Sequence, residues 1–139
     1  MSWFLWALLS ALFAGASAIL AKIGVAGVHS HLATAIRTAV VLVLTWAVAL
    51  SVAPARSVLS IGGRTWLFLT LSGGATSLSW LCYFRALQLG SAAKVASIDK
   101  LSVVFVLVFA VTFLNEPLSW RMLLGIALIA VGAILLASA

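Results

Sequence analysis

Charged residues are scarce in this sequence. Only 7% of its 139 residues are charged, while 65% belong to the apolar set. A soluble domain of this size has far too much surface to cover with so few polar side chains. The composition therefore excludes an ordinary soluble protein.

Acidic residues, cysteine and histidine are also rare, and each scarcity excludes a kind of chemistry. Two acidic residues and one cysteine predict neither paired catalytic carboxylates nor an intrachain disulfide. The two histidines, His29 and His31, lie in one connection without cysteine or carboxylate neighbours, so we expect no metal site. The sequence also has no glycine-rich phosphate loop. We therefore expect no cofactor and no enzymatic activity.

Long apolar runs are what the sequence has in abundance. Five runs of 18 to 22 residues are each long enough to cross a bilayer as a helix, and none has the strict alternation of a barrel strand. The sequence therefore predicts an all-α membrane protein with five transmembrane helices, forming a single domain over residues 1–139. The predicted helices cover approximately residues 3–21, 33–52, 66–87, 93–114 and 120–137.

The net charge of +6 does not indicate nucleic acid binding. The basic residues are scattered through apolar sequence and form no soluble patch. We expect them to face lipid headgroups or a substrate instead.

The basic residues also give no clear membrane orientation. Short loops make successive helices antiparallel, so five spans place the N terminus on one side of the membrane (side A) and the C terminus on the other (side B). Side A carries Arg56, Arg64 and Arg121; side B carries Lys22 and Lys94, with Arg37, Arg85 and Lys100 just inside its helix ends. Either other features fix one orientation, or the chain inserts both ways and pairs with an inverted copy of itself.

Asp99 is the single acidic residue within a predicted span. From the predicted helix starts, Arg37 lies roughly 6 Å, Asp99 roughly 9 Å and Lys100 roughly 10 Å into their helices. A charge at such a depth is costly and needs a reason. Asp99 either couples transport to protons or gates a substrate, or it forms an internal salt bridge with Arg37 or Arg85 that only holds helices together.

The third predicted helix carries a stripe of hydroxyl groups beside Trp80. The stripe consists of Ser72, Thr76, Ser79 and Tyr83, at spacings of four, three and four residues. In one interpretation it lines a polar cavity in which Trp80 and Tyr83 stack on a substrate. In the other, the hydroxyls bond to their own helix and the stripe only packs.

Four segments in the second half of the chain follow a known pattern. They are Tyr83–Gly90 (YFRALQLG), Val95–Ser102 (VASIDKLS), Leu114–Leu118 (LNEPL) and Gly125–Gly132 (GIALIAVG). Together with Arg37 early in the second helix, they resemble the EamA domain of the drug/metabolite transporter superfamily, over all five helices. Two positions depart from the pattern: Ser97 stands where relatives often have proline, and Asn115 where they often have glycine.

The resemblance implies half of a ten-helix inverted-repeat transporter with a central cavity and alternating access. The other half would come from a second copy, as an antiparallel homodimer, or from a paralogous half. We therefore expect a multi-pass transporter subunit in the inner membrane, in contact with lipid, that moves a small polar metabolite. The predicted site comprises Arg37, Asp99, Lys100, Ser72, Thr76, Ser79, Trp80 and Tyr83.

Two alternatives remain open at this point. One is a subunit of a multidrug exporter. Small multidrug exporters bind cations through a glutamate in the first helix, but the first helix here has no acidic residue. Basic residues around the cavity instead favour neutral, zwitterionic or anionic substrates. The other alternative is a membrane protein that transports nothing and only assembles helices or contacts lipids.

Overall fold

The computed structural model describes residues 2–58 and 60–139, and in these residues every regular element is helical. The helices are α1 (Trp3–Gly24), α2 (Ser30–Val52), α3 (Gly63–Leu89), α4 (Ala92–Asp99), α5 (Ser102–Leu114) and α6 (Trp120–Ser138), with a short 3₁₀ turn at Ala55–Val58. α4 and α5 together form one apolar span, Ala92–Leu114, so five segments are long and apolar enough to cross a membrane. The predicted all-α membrane fold with five spans is confirmed.

The fourth span is interrupted at Lys100 and Leu101. The backbone N–H of Lys100 is shared between the carbonyls of Ala96, at 3.3 Å, and Ser97, at 3.2 Å, and that of Leu101 bonds to the Ile98 carbonyl at 2.9 Å. The bonds to Ser97 and Ile98 reach back three residues instead of four, which tightens the backbone into a 3₁₀-like turn between α4 and α5. The interruption forms without proline, since Ser97 occupies the position where proline is common in the resembling pattern.

Asn115 ends α5 in the left-handed conformation, with φ 53° and ψ 35°. The N–H groups of Asn115 and Glu116 both bond to the carbonyl of Ala110. Asparagine tolerates this conformation better than other residues with a Cβ atom. Asn115 therefore adopts the left-handed backbone conformation at a position where the pattern often has glycine.

The chain divides into two compact units. One contains Met1–Lys22 and Leu89–Ala139, and the other contains Ile23–Gln88. In the first unit, α6 packs against α4 and α5, with Ala133 of α6 and Ala110 of α5 both buried. Such small residues let helix backbones approach closely in a membrane, where packing replaces the hydrophobic effect between helices.

The second unit has its buried residues near the start of α2 and the end of α3. Leu87 is fully buried and Phe84 nearly so, and Ser30 and Thr34 are buried polar residues of α2. The Thr34 hydroxyl donates a hydrogen bond to the Ser30 carbonyl at 2.9 Å, so its polar group is satisfied within its own helix. This end of the unit carries the first candidate site.

Candidate functional site

Arg37 lies against two aromatic rings of α3. Its guanidinium carbon is 4.1 Å from the centroid of the Trp80 ring and 5.6 Å from that of Phe84. Both distances are within the range in which a cation is attracted to a ring face. Trp80 and Phe84 are four residues apart and therefore share one face of α3. Such contacts stabilise a partly desolvated cation by about 1–2 kcal/mol.

These ring contacts occur within a membrane-spanning segment. α2 begins at Ser30, ahead of the predicted start at Ala33, so Arg37 lies about 10 Å from the start of its helix. Arg37 and Trp80 are both half-buried, and Phe84 is buried. The rings therefore hold a charged group at a depth where an isolated charge is costly.

Phe84 is a site residue that sequence reasoning missed. Its spacing of four residues from Trp80 was the available signal, because that spacing places both rings on one face of a helix. Nothing in the sequence shows, however, that α2 and α3 bring Arg37 to that face. For Trp80 the sequence left two interpretations open, stacking on a substrate or packing between helices. Its ring centroid lies 4.1 Å from the guanidinium carbon of Arg37, and contact with a substrate stays a prediction.

A second polar cluster lies at the end of α3. The Gln88 amide nitrogen donates to the Val28 carbonyl at 2.6 Å, and its amide oxygen accepts from Arg85 at 3.1 Å. Gln88 thereby ties the last turn of α3 to the connection before α2 and orients the exposed Arg85. The ring of His29, at the end of this connection, is 5.2 Å from that of His31 in the first turn of α2. No group of three or more possible metal ligands occurs among the described residues.

The hydroxyl stripe of α3 differs from the hydroxyl groups of α2. Ser72, Thr76 and Ser79 are exposed, and among the hydrogen bonds of the described residues none involves their side chains. By contrast, the Thr38 hydroxyl donates to the Thr34 carbonyl one turn earlier at 2.8 Å. The exposed hydroxyls of α3 are therefore available to a ligand or a neighbouring chain. Tyr83, the last member of the stripe, is half-buried.

Asp99 and Lys100 lie at the interruption of the fourth span. Asp99 is the last residue of α4, about 10 Å from the start of that helix at Ala92. Both side chains are exposed, and within the described part of its own unit Asp99 forms no salt bridge with a basic residue. Elsewhere in this unit, the ammonium group of Lys22 donates to the Gly90 carbonyl at 2.8 Å.

The structure thus places the predicted site residues in two groups. Arg37 and Trp80 are in contact, with the hydroxyl stripe on the same helix as Trp80, and all of these belong to the unit Ile23–Gln88. Asp99 and Lys100 are neighbours in the other unit. Arg37 and Asp99 belong to different units, and each unit is described only by itself. The predicted pairing of Arg37 with Asp99 therefore stays a prediction.

Comparison with known proteins assigns this helical chain to a family. The EamA-like transporter family matches residues 1–138. The chain belongs to this family, which makes it a multi-pass membrane protein of a transporter family and confirms the resemblance seen in its sequence motifs.

A relative from Sinorhizobium sp, described as an uncharacterized transporter in the cobO 3′ region, is 54% identical over 136 residues. The match covers 98% of this chain and 96% of the relative, so the two have nearly the same length. No solved structure shows a significant match to the chain.

Proposed function

We propose that the chain is one half of a transporter that moves a small polar metabolite across the inner membrane by alternating access. The observation that carries this proposal is the 3₁₀-like turn in the fourth span, at which Asp99 and Lys100 lie about 10 Å into a segment apolar enough to cross a membrane. Transporters use interrupted helices to bring polar groups to substrates within the bilayer. Membership of a transporter family supports the same conclusion.

Each unit supplies its own candidate groups to this function. In the unit Ile23–Gln88 they are Arg37 and the hydroxyl stripe of α3, and in the other unit they are Asp99 and Lys100. Asp99 is the candidate proton carrier, since it is the single acidic residue within the spans.

The partner in this proposal is a second copy in antiparallel orientation. Five spans give one repeat of an inverted-repeat transporter, and an odd number of spans allows an inverted copy to complete it. The nearly balanced basic residues of the two sides permit insertion both ways. A paralogous half is the alternative partner.

Transport is tested with the purified chain in proteoliposomes. Radiolabelled anionic, zwitterionic and neutral metabolites are supplied outside, and saturable uptake of at least one of them is expected. If folded protein moves none of these metabolites, nor a lipophilic cation, the proposal of a transporter is wrong. Uptake of the lipophilic cation alone would favour a multidrug exporter.

The antiparallel arrangement requires a separate test. Cys82 is first replaced by serine, and a single cysteine is then introduced as Ser2→Cys or Ala139→Cys. In cells, a membrane-impermeant maleimide should label each terminus in about half of the molecules. Complete labelling of one terminus and none of the other would show a fixed orientation and require a different partner chain.

A further inference from the structure

The two histidines of the sequence lie side by side at the start of α2. His29 is the residue before the helix, and His31 is in its first turn. Their ring centres are 5.2 Å apart, and the ring planes are inclined at 36°. Both side chains are exposed, and neither imidazole takes part in a hydrogen bond among the described residues. The nitrogens of both rings are therefore available to a ligand.

The separation of the two rings is that of two imidazoles bound to one metal ion. A transition-metal ion binds an imidazole nitrogen at about 2.0–2.1 Å, which places the centre of the ring about 3.2 Å from the ion. At the tetrahedral angle, two such rings have centres about 5.2 Å apart. The rings of His29 and His31 are at this distance. Because both side chains are exposed, each can adopt a rotamer that turns one nitrogen toward a shared ion.

The backbone that carries the two rings is held in place. Ser30, between the two histidines, is buried. Val28, just before them, accepts a hydrogen bond from the Gln88 amide at 2.6 Å, which links the connection to the last turn of α3. Two ligands on an anchored backbone lose less conformational entropy when they bind an ion.

We propose that His29 and His31 bind one divalent transition-metal ion, of the class of Zn²⁺, Co²⁺ and Cu²⁺, through one nitrogen of each imidazole. Neutral imidazole is a good ligand for these ions, whereas Mg²⁺ and Ca²⁺ prefer oxygen ligands. The proposal goes beyond the transport function and does not rest on it.

The proposed site holds an exchangeable ion and not a permanent one. Structural and catalytic zinc sites have three or four protein ligands, whereas this pair supplies two and leaves the remaining positions to water. The sequence-based expectation of no metal site followed from the lack of cysteine and carboxylate neighbours. Two imidazoles at this distance, however, already form a chelate.

Binding is measured with the full chain in phosphatidylcholine nanodiscs, prepared without a histidine tag. Cys82→Ser is the background for all samples, because it removes the single thiol that competes for the ion. Co²⁺ is the probe, since its visible absorption reports its coordination, and equilibrium dialysis gives the amount bound. Saturable binding of about one Co²⁺ per chain is expected, displaced by Zn²⁺ and not by Mg²⁺. Binding no greater than that of empty nanodiscs would overturn the proposal.

The variants His29→Gln and His31→Gln distinguish a chelate from two separate ligands. In a chelate the second imidazole binds intramolecularly, so either replacement should lower the affinity for Co²⁺ about tenfold or more. The double variant should then be little weaker than either single variant. If each single variant keeps the affinity and loses half of the bound Co²⁺, the imidazoles act separately and the proposal is wrong.

Arg85 adds a positive charge to the same cluster. Its exposed guanidinium donates to the Gln88 amide oxygen at 3.1 Å. Like charge weakens the binding of a cation, but solvent screens the charge of an exposed group. Arg85→Gln should therefore bind Co²⁺ as tightly as the original chain or up to about threefold more tightly. A loss of affinity equal to that in the histidine variants would place the ion elsewhere and overturn the proposal.

Glu116→Gln is the second control, because it removes a carboxylate in the connection after α5. Its affinity for Co²⁺ should lie within about twofold of that of the original chain. An equal loss in Glu116→Gln and the histidine variants would also overturn the proposal.

Circular dichroism shows whether each variant folds. If a histidine variant does not fold, the original chain is treated with diethyl pyrocarbonate, which acylates the nitrogens of exposed imidazoles. The treated chain should no longer bind Co²⁺. Binding that survives complete modification of His29 and His31 would show that the ion lies elsewhere and overturn the proposal.

Discussion

The two units of the chain keep charged groups within membrane spans by different means. In the unit Ile23–Gln88, Arg37 lies on an unbroken helix and is stabilised by the rings of Trp80 and Phe84. In the other unit, Asp99 lies where the span is interrupted by a turn with backbone hydrogen bonds between residues three apart instead of four. An arginine can exploit ring faces because it is a flat cation, but a carboxylate is repelled by them. Asp99 accordingly has no such ring contact and is exposed at the turn.

This difference suggests different roles for the two groups. A side chain held by rings on a continuous helix is fixed in place, which suits recognition of a ligand. A carboxylate at a turn between two short helices can change its surroundings when the turn moves, which suits coupling. The following variants test this division, in order of decreasing effect.

Replacing Asp99 should have the largest effect. In Asp99→Asn the carboxylate can no longer carry a proton, so uptake driven by an imposed pH gradient should fall to the level seen without a gradient, while exchange of substrate across the membrane continues. The measurement is uptake by proteoliposomes with and without the gradient. Glu116→Gln, which alters the acidic residue in the connection after α5, is the control and should keep the gradient response. Gradient-driven uptake that survives in Asp99→Asn would leave Asp99 a structural role only.

Replacing Trp80, whose ring contacts Arg37, should have the second-largest effect, which is on stability. Trp80→Leu should lower the free energy of unfolding by about 1–2 kcal/mol, because the cation–π contact and its packing are lost. Trp46→Leu, at an exposed position of α2, should change it by less than about 0.5 kcal/mol. Both values are measured by titration with sodium dodecyl sulfate, followed by circular dichroism. An equal loss of unfolding free energy in the two variants would show that the Trp80 ring stabilises the protein no more than an exposed ring of α2 does.

The left-handed end of α5 predicts a smaller change. Asn115→Ala should cost about 1 kcal/mol, since alanine adopts positive φ less readily than asparagine, and Asn115→Gly should be neutral or slightly stabilising. The same titration applies. A glycine variant that is less stable than the alanine variant would mean that the side chain of Asn115, and not its backbone conformation, matters here.

The hydrogen bonds of Gln88 predict the smallest effect. Gln88→Glu loses the donor to the Val28 carbonyl but keeps an acceptor for Arg85, whereas Gln88→Ala loses both. We expect each variant to be destabilised by less than about 1 kcal/mol, because Arg85 is exposed and Gln88 only half-buried, so water replaces the lost hydrogen bonds. A larger loss in Gln88→Ala would show that this link carries more of the unit's stability than the contact between Arg37 and Trp80.

Most of the fold could be predicted from the sequence because the membrane imposes a simple rule. A run of about 20 apolar residues must form a helix to satisfy its own backbone groups, so the five spans could be read directly. The turn at Lys100 and Leu101 could not, because proline is the usual sequence marker of an interruption and Ser97 stands in its place. The turn depends on backbone hydrogen bonds that many residue types can form.

Single residues of the candidate site could be predicted from the sequence, but the contacts between them could not. Arg37 and Asp99 stood out because charges within spans are rare. The partners of Arg37 could not be predicted, because they depend on the rotation of α2 against α3, which apolar periodicity does not fix. For the same reason the contact between Trp80 and Arg37 could not be predicted, and contact of Trp80 with a substrate stays a prediction.

The length of α3 has a consequence for the membrane around it. Its 27 residues span about 40 Å, roughly 10 Å more than the hydrocarbon thickness of an ordinary bilayer. The helix must therefore tilt, or extend its final turns, with Arg85 and Gln88, into the headgroup layer. In a thicker bilayer these polar turns would lie among the acyl chains, and in a thinner bilayer they would lie outside them. The functional conformation of this protein should therefore depend on lipid chain length. Arg85 and Gln88 mark the depth at which α3 matches the thickness of the bilayer.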